Sequence, residues 1–91
     1  MNDAVSDDES LARNVLARLA EARAELYSRM EQAGLTREGG WRVREDLRHT
    51  IEGTVWTFTP IHLHRAPVEM STTVVVDDSG RVIDPPRQPG A

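Results

Sequence analysis

The chain has 91 residues, 38% of them hydrophobic, and no cysteine, so we expect one small domain with neither disulfides nor a cysteine-based zinc motif. The formal net charge of −4 comes entirely from acids before Ser10, and the near-neutral remainder lacks the basic stripe of a nucleic-acid binder. With no apolar run near the ~18 residues that span a membrane and no signal-peptide pattern before Leu11, we expect a cytoplasmic protein without membrane partners.

Residues 8–33 are predicted to form one long amphipathic helix. Apolar side chains recur there in steps of three and four, which keeps them on one stripe of a helix, and no Gly or Pro interrupts the segment. The stripe consists of Leu11, Val15, Leu19, Ala22, Leu26, Met30 and Ala33.

The ends of this helix are marked as well. Ser6, Asp7 and Asp8 offer capping oxygens, and Gly34 can end the helix in a left-handed conformation that folds Leu35 back on Met30. At ~39 Å the helix is longer than an eight-residue strand of ~26 Å. We therefore expect it to overhang the sheet at its N-terminal end, with Leu11 and Val15 offered to a second subunit.

Two strands are predicted next, at 41–51 and 55–59, because both segments alternate and the second is β-branched and aromatic. Glu52-Gly53 is the predicted two-residue turn. An even-length turn places Val43 and Leu47 on the face of Trp56 and Phe58, which we assign to the underside of the helix.

A bulge is predicted at Thr59-Pro60. If the second strand ran straight through Pro60, His62 would be buried and Leu63 would face water. A bulge resets the alternation, brings Ile61 and Leu63 into the core and turns His62 and His64 outward.

The third strand is predicted at 68–76, followed by a hairpin turn at 77–80 and a short fourth strand at 81–83. The fold class is therefore α+β: one long N-terminal helix on one face of a four-stranded antiparallel meander, in the order α-β-β-β-β. We expect this domain to cover residues 7–84, with flexible segments at 1–6 and 85–91.

One helix leaves the other face of the sheet open, which suggests a surface for a partner. The residues assigned to this open face are Arg42, Arg44, Arg48, Val55, Thr57, Thr59, His62, His64, Thr73, Val75 and Val82. The leading hypothesis is a non-catalytic interaction or accessory module that binds itself as a homodimer, or another protein, through the open face or the helix overhang. Because the chain is small, oligomerisation would help to stabilise it.

His62-Leu63-His64 offers a possible zinc site. Two histidines two positions apart on a strand project from one face and can both reach one metal ion, with His49 or Glu69 as a third ligand. The alternative is two ordinary exposed histidines, since this pattern is a weak signal. No other cofactor is predicted.

A small-ligand pocket is the remaining hypothesis, between the helix and the sheet near Tyr27, Trp41, Glu45 and His49. Burial would raise the pKa of a carboxyl such as Glu45 and could make it a general base. The simpler alternative is a Glu that reaches solvent or pairs with an arginine of the helix. No Ser/His/Asp pattern or glycine-rich phosphate loop supports an enzyme.

Overall fold

The computed structural model describes residues 3–83, with side chains from Glu9 onward. The chain forms one helix, α1 (Asp3–Gln32), and four strands, β1 (Trp41–Thr50), β2 (Gly53–His62), β3 (Thr72–Val76) and β4 (Val82–Ile83). The sheet order is β1-β2-β3-β4 and every neighbouring pair is antiparallel. The predicted meander under a single helix is confirmed. The flexibility of segments 1–6 and 85–91 stays a prediction: residues 1, 2 and 84–91 lie outside the described part, and residues 3–6 belong to α1.

Helix α1 begins at Asp3, earlier than the predicted start at Asp8, because nothing between them stops a helix from extending. Its end follows the prediction. Gly34 has a φ of 77°, and Gly34 N and Leu35 N donate to the carbonyls of Glu31 and Met30 at 3.1 and 2.8 Å. These two bonds form a Schellman motif, which turns the chain towards the sheet.

The core lies between the central stripe of α1 and the sheet. Leu26 and Phe58 are fully buried at its centre. Thr72 is the buried polar residue of this region, and its Oγ1 donates to the carbonyl of Ala22 at 2.8 Å, so its hydroxyl is satisfied. The remaining core residues are Leu19, Ala22, Met30, Trp41, Val74 and Val76.

The β1–β2 hairpin closes through Ile51-Glu52, with Thr50 opposite Gly53, rather than through the predicted Glu52-Gly53 turn. The number of loop residues is still two, so the predicted faces are preserved. Leu47 lies opposite Trp56 and Val43 lies opposite Pro60, all on the helix side of the sheet.

Gly53 explains where this turn lies. It has a φ of 141° and is buried, and a Cβ there would collide with the carbonyl oxygen of Val76. The close approach of β3 therefore requires glycine at the first position of β2.

The predicted bulge at Thr59-Pro60 was wrong, because β2 runs straight to His62 in one register with β1. Ile61 and Leu63 are consequently 37% and 92% exposed instead of buried. His62 lies on the helix side, opposite Trp41, and not on the open face.

Hydrogen-bond alternation explains why Pro60 needs no bulge. The Thr50–Gly53 pair that closes a two-residue loop is hydrogen-bonded, so the Val43–Pro60 pair is of the non-hydrogen-bonded kind. The nitrogen of Pro60 therefore points away from β1, and β3 has already ended there because its first residue, Thr72, pairs with Phe58. No ladder bond is lost, so the strand tolerates the proline.

The third strand is shorter than predicted, since Val68 and Met70 precede it and pack against the core from a tight turn. Val82 pairs with Val76, which places Val82 on the helix side and corrects its assignment to the open face. Ile83 pairs with Val75 and takes the position on the open face instead.

Candidate interaction surface

Apolar side chains are exposed where α1 leaves the sheet uncovered. The helix packs over β2, β3 and β4, so the second half of β1 projects beyond it. Leu47 is 54% exposed there beside its cross-strand neighbour Trp56. Trp56 in turn lines a groove of about 490 Å³ together with Leu16, which is 65% exposed. We call the surface formed by Leu16, Trp56 and Leu47 the β1 notch.

The β1 notch continues to both sides. Its groove is closed towards α1 and the β3–β4 turn by Leu11, Ala12, Val15, Val76, Ser79 and Gly80. Beyond Leu47, Ile51 at the tip of the hairpin is fully exposed at 102%. Exposed apolar side chains on a monomer that lie next to one another indicate an interaction site.

The free edge of β1 borders this notch. Because even-numbered residues of β1 bond to β2, the N–H and C=O groups of Val43, Glu45, Leu47 and His49 point outward. At Trp41, the first outward position, the N–H donates to the carbonyl of Thr36 at 3.1 Å. From Val43 to His49 the outward groups have no hydrogen-bond partner among the residues that the structure describes. An unpaired edge of this length is a template for another strand.

Charged side chains alternate along the other face of β1. Arg42, Arg44 and Arg48 lie on the open face, as predicted, together with Asp46, and all four are exposed. Arg44 Nε lies 2.9 Å from Asp46 Oδ2. Charges along an edge strand discourage unspecific pairing and select a partner of matching pattern.

The centre of the open face keeps the mixed apolar and polar character that was predicted, although some of its residues differ. Val55, Thr57 and Val75 lie there as expected and are half-buried by their neighbours in the sheet. Ile83 lies here in place of Val82, and Ile61 in place of His62. Arg44 and Arg48 line the shallow groove beside Val55.

The predicted helix overhang is also placed differently. Leu11 and Val15 are partly buried, and Leu11 Cδ1 lies within 3.9 Å of where a Cβ on Gly80 would be. Both residues line one groove with Gly80 of the β3–β4 turn, and Leu16 is a large apolar side chain that this part of α1 exposes.

The three histidines of the predicted zinc site are not brought together. His49 lies beside the hairpin turn, where its Nδ1 is 3.1 Å from Thr54 Oγ1, and His62 lies at the opposite end of β2. The rings of His62 and His64 are 6.0 Å apart. Among the side chains that the structure describes, from Glu9 to Ile83, no three His, Asp or Glu form a group suited to a metal ion.

His62 has a structural role that the sequence pattern did not indicate. Its Nε2 bonds to the carbonyl of Gly39 at 2.9 Å, and its Nδ1 accepts from the backbone N–H of His64 at 2.9 Å. Its ring also meets Trp41 edge-on with centroids 5.0 Å apart. Gly40, with a φ of 96°, allows the chain to pass this close, since a Cβ there would lie 2.7 Å from His62 Nε2. Zinc at His62 would have to displace one of these bonds.

The four residues of the predicted ligand pocket do not lie together. Tyr27 and Trp41 do line a groove of about 420 Å³ at the C-terminal end of α1, together with Arg37 and Arg42. Glu45 and His49 lie further along β1 and outside it.

Glu45 follows the simpler alternative for this carboxylate. Its Oε2 is 3.4 Å from Arg23 Nη2 of the helix, and Arg23 Cζ lies 5.1 Å from the centroid of the Phe58 ring. The pair connects the helix to β1. Because both side chains are partly exposed, it contributes little to the free energy of unfolding.

The β3–β4 turn carries the one ionisable group of the described region whose pKa clearly departs from its ordinary value. The hydroxyl of Ser79 and the backbone N–H groups of Arg81 and Ser79 donate to Asp77 Oδ1 at 2.6, 2.9 and 2.9 Å. These bonds favour the carboxylate and lower the pKa of Asp77 below 3.8. Asp77 therefore stabilises the turn through these hydrogen bonds.

Comparison of the chain with models of protein families, with curated proteins and with solved structures found no match. Within the described residues, no helix combines the length and the apolar character that crossing a membrane requires.

Proposed function

We propose that the protein is a small interaction module, without catalytic activity of its own, that works as a homodimer through the β1 notch and the free edge of β1. The observation that carries this proposal is the coincidence of the two features. Leu47 presents an exposed apolar side chain on the helix side, and its own N–H and C=O groups belong to the free edge.

A second copy of the chain is the occupant that these features favour. The notch and the edge lie side by side, so two copies related by a two-fold axis would cover both at once. A domain of this size buries a limited core, and the added burial would stabilise each copy.

The test is the molar mass in solution as a function of concentration, by multi-angle light scattering. We expect the wild type to be a dimer at about 100 µM and Leu47→Glu to be a monomer. Leu63→Glu is the matched control, because Leu63 is 92% exposed and lies beyond the end of β2, far from Leu47. A wild type that stays monomeric at this concentration would end the proposal.

Small-ligand binding is the second candidate, supported by the groove between Tyr27 and Trp41. Its dimensions suit a small molecule, and its rim combines aromatic side chains with two arginines. Chemical-shift changes that cluster at Tyr27 and Trp41 in a small-molecule screen, in a chain that stays monomeric, would favour this function over the dimer.

A further inference from the structure

We propose that two copies join their β1 strands antiparallel, with Leu47 opposite the partner's Leu47, into one continuous eight-stranded sheet. This inference rests on the proposed function and deepens it, since it specifies the pairing and the residues that select it. The free edge of β1 supplies the backbone groups, and the pattern of its side chains determines the register.

Alternation restricts the possible registers. Only odd-numbered residues of β1 offer outward N–H and C=O groups, so odd residues must pair with odd residues across a two-fold axis. The centre of the pairing can therefore lie at Arg44, Glu45, Asp46, Leu47 or Arg48. Moving the centre by one residue slides one strand past the other by two residues and changes every cross-strand pair, so these registers differ in energy.

Charge selects the register centred on Leu47. Asp46 then faces the partner's Arg48 on the open side of the sheet, and by symmetry this pair occurs twice. On the helix side, Glu45 faces the partner's His49, and Leu47 faces its own copy. No pair of like charges occurs, because Arg44 faces the partner's Thr50, which carries no charge.

The other registers place like charges opposite each other. A centre at Glu45 joins two glutamates and places Arg42 opposite the partner's Arg48 twice, against one attractive pair that also occurs twice, Arg44 with the partner's Asp46. A centre at Asp46 joins two aspartates and places Arg44 opposite the partner's Arg48. A centre at Arg44 or at Arg48 joins two arginines directly. Like charges opposite each other on antiparallel strands are destabilising.

The apolar contacts agree with this choice. The two copies of Leu47 would meet at the two-fold axis, each beside its Trp56, so the two β1 notches merge into one apolar cluster between the helices. Leu16 of each helix borders the cluster. The side chains that are exposed in one copy are therefore the ones that this pairing covers.

Cysteine cross-linking tests the register, since the chain has no cysteine of its own. In a hydrogen-bonded antiparallel pair the two Cα atoms are about 5.5 Å apart, within the range of a disulfide. We expect Leu47→Cys to form a disulfide dimer under mild oxidation. Glu45→Cys alone should not cross-link, because its two copies are about 13 Å apart in this register, but it should cross-link to His49→Cys when the two variants are mixed. Leu63→Cys, equally accessible, is the control and should stay monomeric after oxidation.

Charge exchange gives a second, independent test. Arg48→Asp and Asp46→Arg each put like charges opposite each other twice, and we expect each to raise the Kd of the homodimer about tenfold. A mixture of the two variants should form a heterodimer, because both charge pairs are then restored. With a centre at Glu45 or Asp46, Arg48→Asp would instead lower the Kd.

The outcomes separate this inference from the function on which it rests. A wild type that dimerises, but whose Leu47→Cys variant does not cross-link or whose Arg48→Asp variant binds itself more tightly, would overturn the register and leave the homodimer standing. A wild type that is monomeric at 100 µM would overturn both. Cross-linking at Leu47 with a heterodimer of the charge variants would support the proposed pairing.

Discussion

Replacing Leu26 and Leu63 by alanine, one at a time, tests the packing of the helix on the sheet and the register of β2 together. The chemical change is the same at both positions, but Leu26 is 0% exposed beside Phe58 and Leu63 is 92% exposed. A buried Leu→Ala substitution costs about 3 kcal/mol, because transfer energy is lost and a cavity remains. For Leu63 we expect a change within about 0.5 kcal/mol.

Urea unfolding followed by the fluorescence of Trp41 and Trp56 measures both values, at one protein concentration so that any dimer contributes equally. In a domain of this size about 3 kcal/mol corresponds to a fall in Tm of about 12–24 °C. If Leu63→Ala costs as much as Leu26→Ala, β2 does not run straight through Pro60 and the assignment of faces beyond it is wrong. A small effect at Leu26 would contradict the position of the helix.

Three further predictions concern single sites. Gly53→Ala should lower the free energy of unfolding by about 2 kcal/mol or more, because its Cβ collides with the carbonyl of Val76. The Cβ of Gly34→Ala meets nothing within 4 Å, so this variant should lose only about 1 kcal/mol. Urea unfolding of both variants measures the difference. The folded state lowers the pKa of Asp77, so the stabilisation from this carboxylate is complete above its ordinary pKa of 3.8 and is lost as the pH falls through the lower pKa of the folded state. Asp77→Asn should therefore flatten the acid side of a curve of unfolding free energy against pH. An unchanged acid side would contradict the assignment. His62→Ala should lower stability by about 1 kcal/mol without any metal, because two hydrogen bonds are lost, and if micromolar zinc leaves the Tm of the wild type unchanged, the zinc prediction ends.

The overall architecture could be predicted because local signals agreed with one another. The apolar stripe of α1 has one period over its whole length, and Gly34 marks its end in the sequence. The faces of the hairpin were predicted correctly although the turn was misplaced by one residue, since Ile51-Glu52 and Glu52-Gly53 have the same length. Alternation depends on whether a loop is odd or even, and not on where it lies.

The error beyond Pro60 has a physical cause that single-strand patterns do not contain. Burial of Ile61 and Leu63 was expected because both are apolar, but the cost of a proline in a sheet depends on the side to which its nitrogen points. That direction follows from pairing with β1 and from the point where β3 ends. Both features belong to the pairing of strands in the folded chain and cannot be seen in the pattern of one strand.

The candidate surface was only partly predictable for the same reason. The sequence predicted a partner surface, but it assigned the exposed apolar side chains to the open face of the sheet and to Leu11 and Val15 of the helix, which lie against the β3–β4 turn. Which part of β1 the helix leaves open depends on the direction in which α1 crosses the sheet. Side-chain periodicity specifies the buried face of each element and does not specify that direction.

Hydrogen exchange of the β1 backbone amides, measured at high and low protein concentration, tests the central claim most directly. If the free edge of β1 pairs with a second copy, the outward amides of Glu45, Leu47 and His49 are protected at high concentration and exchange rapidly on dilution. The amides of Asp46 and Arg48, which bond to β2, should be protected at both concentrations. Rapid exchange of the outward amides at every concentration, beside protected inward ones, would contradict the account.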